Sequence, residues 1–184
     1  MLMDKKELKK RELTESMKTY ILENGLAKSS LRNLAKASDT SDRMLLHYFQ
    51  DKEELMTDVL QAITQDLIQL LKANETGTWP LKTLIPYLSQ MMKEPVIKPY
   101  LNLWLELMAE ASKKEEPYYS AARDIASSFK NFYKEVLMVE PGQSKEHMDA
   151  FALVLVEGMV MMDALDFDDD IRNALGGLNE LGEN

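Results

Sequence analysis

Apolar positions along the chain recur at helical spacing and almost never alternate. Leu13, Met17, Tyr20 and Ile21 fall at i, i+4, i+7 and i+8, one face of a helix predicted from about residue 4 to 23. Asn24-Gly25 ends it, because glycine tolerates the left-handed backbone of a helix stop. Ser29 or Ser30 then caps a second helix whose apolar face is Leu31, Leu34 and Ala35. Ser38-Asp39-Thr40 reads as a turn, and Ser41 as the N-cap of a third helix burying Leu45 and Phe49. Asp51-Lys52 opens a fourth, carried by Leu55, Val59, Ile63, Leu67 and Leu70. Residues 74–80 break the pattern, and further helices are predicted near 81–93, 97–113, 117–139, 144–165 and 168–178. Glu94-Pro95, Glu116-Pro117 and Glu140-Pro141-Gly142 separate these later helices.

The fold class that follows is all-α. Two short helices joined by a tight turn make a helix-turn-helix, which sets its second helix in the major groove of DNA. Residues 1–51 are expected to form this three-helix module, and 52–184 a larger helical domain. The stretch 148–165 is apolar nearly all round yet contains Glu157 and Asp163. A carboxylate near a bilayer centre costs about 2.5–3.5 kcal/mol, so no membrane partner is expected. A helix covered on most sides instead suggests symmetric pairing, giving Phe151, Leu155, Val156, Met159 and Met162 as dimer-interface candidates and a homodimer as the expected assembly.

Charge is divided unevenly. Residues 1–60 hold 11 Lys+Arg and 11 Asp+Glu, while the remaining 11 Lys+Arg and 20 Asp+Glu give the whole net charge of −9. An acidic C-terminal body would turn the neutral N-terminal end, with its run Lys5, Lys6, Lys9, Lys10 and Arg11, toward phosphate. The chain has no cysteine, which excludes disulfides, thiol catalysis and Cys-based metal centres. Its charged start lacks the apolar core of a secretory signal, so the cytoplasm is the expected compartment.

The segment from about Glu23 to Leu60, a third of the chain, resembles the TetR family of bacterial transcriptional regulators. The resemblance rests on Gly25, Ser30, Leu34-Ala35, Ser41, Leu45, His47-Tyr48-Phe49 and Lys52-Glu53-Glu54-Leu55, in order and at the family's spacing. The departures are Asp39 for the usual turn glycine, Thr40 for valine, Arg43 for a small residue, and Leu46 for a tyrosine that often touches phosphate. Asp42 suits the helix dipole but not a neighbouring phosphate. The resemblance implies a ligand-responsive transcriptional regulator, most often a repressor. Its partners would be a palindromic double-stranded operator and a small-molecule effector. Ligand binding between the middle helices would tilt the fourth helix and change the separation of the two recognition helices.

On this reading Thr40, Ser41, Asp42, Arg43 and Met44 meet base edges, and Arg43 is the candidate for bidentate contact to guanine. His47, Tyr48 and Lys52 reach phosphate, and Ser30 and Arg32 fix the backbone from the second helix. Tyr87, Met91, Trp104, Met108, Phe129 and Tyr133 are candidates to line an effector pocket among the middle helices. The plainer account of these residues is a solvated helix face and ordinary core. The alternative function is an all-α dimeric small-molecule-binding or interaction protein with little specific DNA affinity.

No cofactor, metal or catalysis is expected. The acidic run from Asp166 fails as a calcium loop, because Ile171 and Gly177 stand where glycine and glutamate are required. The two histidines, His47 and His147, have no metal-ligand spacing, and no phosphate loop or nucleophile motif occurs.

Overall fold

The structure is a computed structural model that describes residues 5–72 and 77–180. It is all-α, as the periodicity predicts. The helices among the described residues are α1 (Lys5–Asn24), α2 (Leu31–Ala37), α3 (Asp42–Tyr48), α4 (Lys52–Lys72), α5 (Leu81–Met91), α6 (Lys98–Ala111), α7 (Tyr118–Val136), α8 (Lys145–Asp163) and α9 (Asp168–Glu180). A single 3-10 turn, Leu26–Lys28, joins α1 to α2. The predicted helix order holds throughout. The start expected at residue 4 and positions 74–76 of the break predicted over 74–80 lie outside the described residues.

Two compact units divide the chain. The first comprises residues 1–67 and 102–125, and the second 68–101 and 126–184.

The first unit is built around the apolar face of α1. Leu13, Met17 and Ile21 are buried with Leu34 and Ala35 of α2, Leu45 of α3, Phe49, and Leu55, Met56 and Val59 of α4. Two lysines of α1 are drawn into this assembly. The Lys10 ammonium lies 2.8 Å from Glu54 and 2.7 Å from Asp58 of α4, and 4.8 Å from the centre of the Phe49 ring. Lys18, whose side chain is only 9% exposed, pairs with Glu15 and Asp66. These pairs fix α1 along α4 by charge as well as by packing.

The second unit packs α5, α8 and α9 around Leu84, Ile85, Leu88, Ala152, Val156, Met159, Val160, Ile171 and Leu178. Two short parallel strands, β1 (Trp79–Pro80) and β2 (Leu137–Met138), pair Trp79 with Leu137 and Pro80 with Met138. Two-residue strands are too short to show a period of two, which is why the sequence pattern reads them as loop and helix end.

The corner between α8 and α9 is held by an ionic cluster. Asp163, with a side chain 6% exposed, accepts from Lys93 and from Lys98 at 2.8 Å, while Lys93 also reaches Asp168 at the start of α9. Burial alone would raise the Asp163 pKa, but the hydrogen bonds from the two ammonium groups outweigh it and hold the carboxyl below its usual range. A carboxyl whose pKa is depressed on folding stabilises the fold above its unfolded pKa. That contribution is lost as pH falls through the folded value. Asp163→Asn is therefore expected to cost about 2 kcal/mol at neutral pH, since both lysines lose a charged acceptor. Thermal melts from pH 7 to pH 3 check this: the wild type loses stability across the acid limb, and the variant should show a shallower loss.

Candidate nucleic-acid interface

The short helices α2 and α3 are begun by serine caps and joined by a tight turn. Ser30 Oγ accepts the Asn33 N–H at 3.2 Å, and Ser41 Oγ accepts the Met44 N–H at 3.3 Å. Between them Asp39 adopts φ 49°, the left-handed conformation normally supplied by glycine. The Thr40 N–H donates to the Ala35 carbonyl at 3.0 Å and closes the turn.

Burial of Leu45 and Phe49 sets which side of α3 faces outward. At about 100° per residue, Arg43 and His47 lie opposite Leu45, with Met44 and Leu46 on the flanks. All four are exposed, Met44 by 42% and Leu46 by 44%. Tyr48 is half-buried with its ring edge-on to His47, 5.1 Å between centroids. Ser41, Asp42 and the capping Ser30 are exposed, as are Arg32 and Lys52, while Thr40 is partly covered. The ten residues expected at a DNA surface thus all lie in one unit, on the caps and outer faces of α2 and α3 and the start of α4.

One feature escapes the sequence pattern. Lys10 is one of the five basic N-terminal side chains, yet its ammonium is committed to Glu54 and Asp58. Desolvation would lower its pKa, but the hydrogen bonds it donates to both carboxylates more than offset this and raise it. Leu46, one of the departures named above, presents an apolar side chain beside the outward face of α3.

This segment has a known counterpart. Residues 19–59, spanning the end of α1 to the first turns of α4, match the model described as bacterial regulatory proteins, tetR family. Over this segment the chain is similar to the TetR family. Among its relatives, the HTH-type transcriptional regulator PksA of Bacillus subtilis (strain 168) is 23% identical over 166 residues, covering 87% of this chain and 80% of PksA. The transcriptional regulator of the TetR family from Cytophaga hutchinsonii superposes with a TM-score of 0.73 at 17% identity, covering 98% of this chain and 96% of that one. Bacillus subtilis FadR in complex with stearoyl-CoA gives a TM-score of 0.58 at 15% identity, over 93% of this chain and 96% of FadR. At these identities the solved structures establish the shared fold. No helix among the described residues is long and apolar enough to cross a membrane.

The six effector-pocket candidates fall in different units of the chain. Trp104, half-buried, and Met108, 45% exposed, belong to the first. Tyr87, Met91, Phe129 and Tyr133 belong to the second. Tyr87 donates its hydroxyl to the Leu71 carbonyl at 3.1 Å and packs on Trp79. Tyr133 is 2% exposed against Phe132, and burial, followed by the charge of Glu157, pushes its phenol well above the usual range. Met91 and Phe129 are half-buried.

The five dimer candidates also divide. Phe151 is 43% exposed, and Leu155 and Met162 are partly exposed. Val156 and Met159 are buried within the protomer, because they lie on the side of α8 that packs its own core. The outward stripe is completed by Val154, 71% exposed, Met161, 55% exposed, and Leu165. Phe151, Val154, Leu155, Gly158 and Met162 of α8 face Ala174 of α9 across a shallow apolar groove.

Lys10→Ala separates structure from DNA contact. It should lower stability by about 1–2 kcal/mol, because Glu54 and Asp58 lose their partner and the Phe49 ring its cover. It should leave the salt dependence of DNA binding unchanged. Chemical denaturation and a salt titration of DNA affinity measure the two separately.

Proposed function

We propose that this protein is a member of the TetR family: a cytoplasmic, ligand-responsive transcriptional regulator that binds a palindromic operator as a homodimer and acts as a repressor. The observation that carries this reading is the capped α2–turn–α3 unit, with Arg43 and His47 on its exposed side, inside the segment that matches the family. In our reading residues 1–51 form the DNA-binding module and 52–184 the effector and dimerisation domain. Arg43 is the base-reading residue, and Lys52, Ser30 and Arg32 hold phosphates.

Regulation would then work through spacing. A two-fold dimer must meet half-sites about 34–36 Å apart, so a modest change in the separation of its two α3 helices weakens both contacts at once. An effector with higher affinity for the mismatched state shifts the population toward it; equal affinity for both states would shift nothing. That FadR was solved with stearoyl-CoA supports a small-molecule effector here without naming it. Among the six sequence candidates, Tyr87, Met91, Phe129 and Tyr133 are our proposal for its contacts in the second unit.

The exposed α8 stripe supports the dimer. Val154, Met161 and Leu165, together with Phe151, give an apolar face of the kind that second copies cover. Val154→Glu or Met161→Glu should give folded monomers by analytical ultracentrifugation, since neither side chain is needed inside the protomer. A wild-type protein that is monomeric at micromolar concentration would contradict the homodimer.

The DNA roles predict different signatures. Arg43→Ala should cost about 1–3 kcal/mol on the preferred site and relax preference at one base position. Lys52→Ala should weaken all sequences alike and reduce the salt slope by about 1. Competition binding on a site and its single-base variants, repeated across salt concentrations, reads both. If neither variant differs from wild type, the alternative of a binding protein with little DNA affinity is favoured.

A further inference from the structure

The corner between α1 and α2 is tied to a residue eighty positions further along the chain. Gly25 turns the chain at φ 77°, and its own N–H is satisfied by the Ile21 carbonyl at 2.8 Å. The next N–H, that of Leu26, opens the 3-10 turn, where a backbone donor finds no acceptor within its own turn. The carboxylate of Glu106 on α6 supplies that acceptor: Leu26 N–H donates to Glu106 Oε2 at 2.7 Å. Both residues lie in the first unit.

The carboxylate lies directly over the glycine. A Cβ at position 25 would stand 2.6 Å from Glu106 Oε1 and 2.8 Å from Oε2. Glycine suits the positive φ, and a side chain here would have to push the carboxylate aside. The family-like glycine that ends α1 is thus also the seat of a side chain from α6.

From this point to α2 the backbone is hydrogen-bonded at nearly every step. Ser29 Oγ donates to the Gly25 carbonyl at 2.8 Å, and the Ser29 N–H to the Leu26 carbonyl at 2.9 Å. Asn33 Nδ2 donates to the Lys28 carbonyl at 2.8 Å, and Ser30 caps α2. A displacement at Leu26 is consequently passed to the start of α2, and α2 packs directly on α3. The same carboxylate lines a groove with Ser30 and Lys52, the two residues assigned to phosphate from α2 and α4.

We propose that Glu106 is a positioning residue for DNA binding: its carboxylate latches the Leu26 N–H over Gly25 and so holds α2 and α3 in their DNA-competent placement on α6. The latch touches no DNA. It makes operator affinity depend on where α6 stands, and an axial or rotational shift of α6 breaks it. The proposal rests on the DNA-binding reading above.

The test compares two variants that remove the same charge. Glu106→Ala deletes the acceptor, whereas Glu106→Gln keeps an amide oxygen able to accept from Leu26. Loss of a carboxylate near DNA would by itself strengthen binding, so weaker binding by the alanine variant reports the lost latch. The probe is the duplex best enriched by the wild-type protein from a random DNA pool, measured where circular dichroism shows every variant fully folded. Glu106→Ala should bind about tenfold more weakly, the loss of one charge-assisted hydrogen bond. Glu106→Gln should stay within about threefold of wild type, and the salt slope should be unchanged in both, unlike that of Lys52→Ala. Hydrogen exchange at the Leu26 amide should accelerate in the alanine variant and largely recover in the glutamine variant. Equal effects of the two variants, or an alanine variant that melts earlier yet binds the duplex as tightly as wild type, would overturn the latch alone. A wild-type protein that enriches no sequence would overturn the DNA-binding reading, and the latch's role with it.

Discussion

Everything in the DNA-facing unit depends on anchoring a seven-residue helix from one side. A helix of that length is not stable alone, because nucleation costs more than its few hydrogen bonds return. α3 persists because Leu45 and Phe49 are buried against α1 and α4 and because Ser41 caps its first turn. The outward side is left free of structural duty, which is what allows Arg43, Met44, Leu46 and His47 to be chosen for a partner rather than for the fold. Lys10 reinforces the same anchor, lying against Phe49 while paired with two carboxylates of α4. One cation thus serves packing beneath the helix-turn-helix.

Charge divides the molecule by task. Cations that hold the fold are paired: Lys10 and Lys18 in the first unit, Lys93 and Lys98 on Asp163 in the second. The net charge of −9 arises beyond residue 60. For a protein meeting DNA with its N-terminal module, that distribution penalises every other orientation. On the proposed reading Arg43 and Lys52 carry attraction, and Asp42 tempers it.

Local signals in the sequence carried far. Gly25, Ser30, Asp39 and Ser41 each perform the stop, cap or turn that their chemistry implies, and the apolar face from Leu13 to Ile21 is the buried one. What stayed hidden is long-range. Nothing in the run of five basic residues distinguishes Lys10, since its partners lie more than forty positions away. Glu106 looks like an ordinary solvent-facing glutamate until its distance to Leu26 is known. Val156 and Met159 are as apolar as Val154 and Met161; only the packing of α8 on its own core separates the buried pair from the exposed pair. Periodicity identifies an apolar helix, but on a helix apolar nearly all round it does not say which side faces its own core.

The central claim is that α3 reads a specific, two-fold symmetric DNA sequence. Selection of the purified protein against a pool of random duplexes tests it most directly. The account predicts enrichment of an inverted repeat whose half-sites lie one helical turn apart, with a preferred base pair lost in the Arg43→Ala protein. Recovery of a pool with no shared sequence after repeated rounds would contradict it.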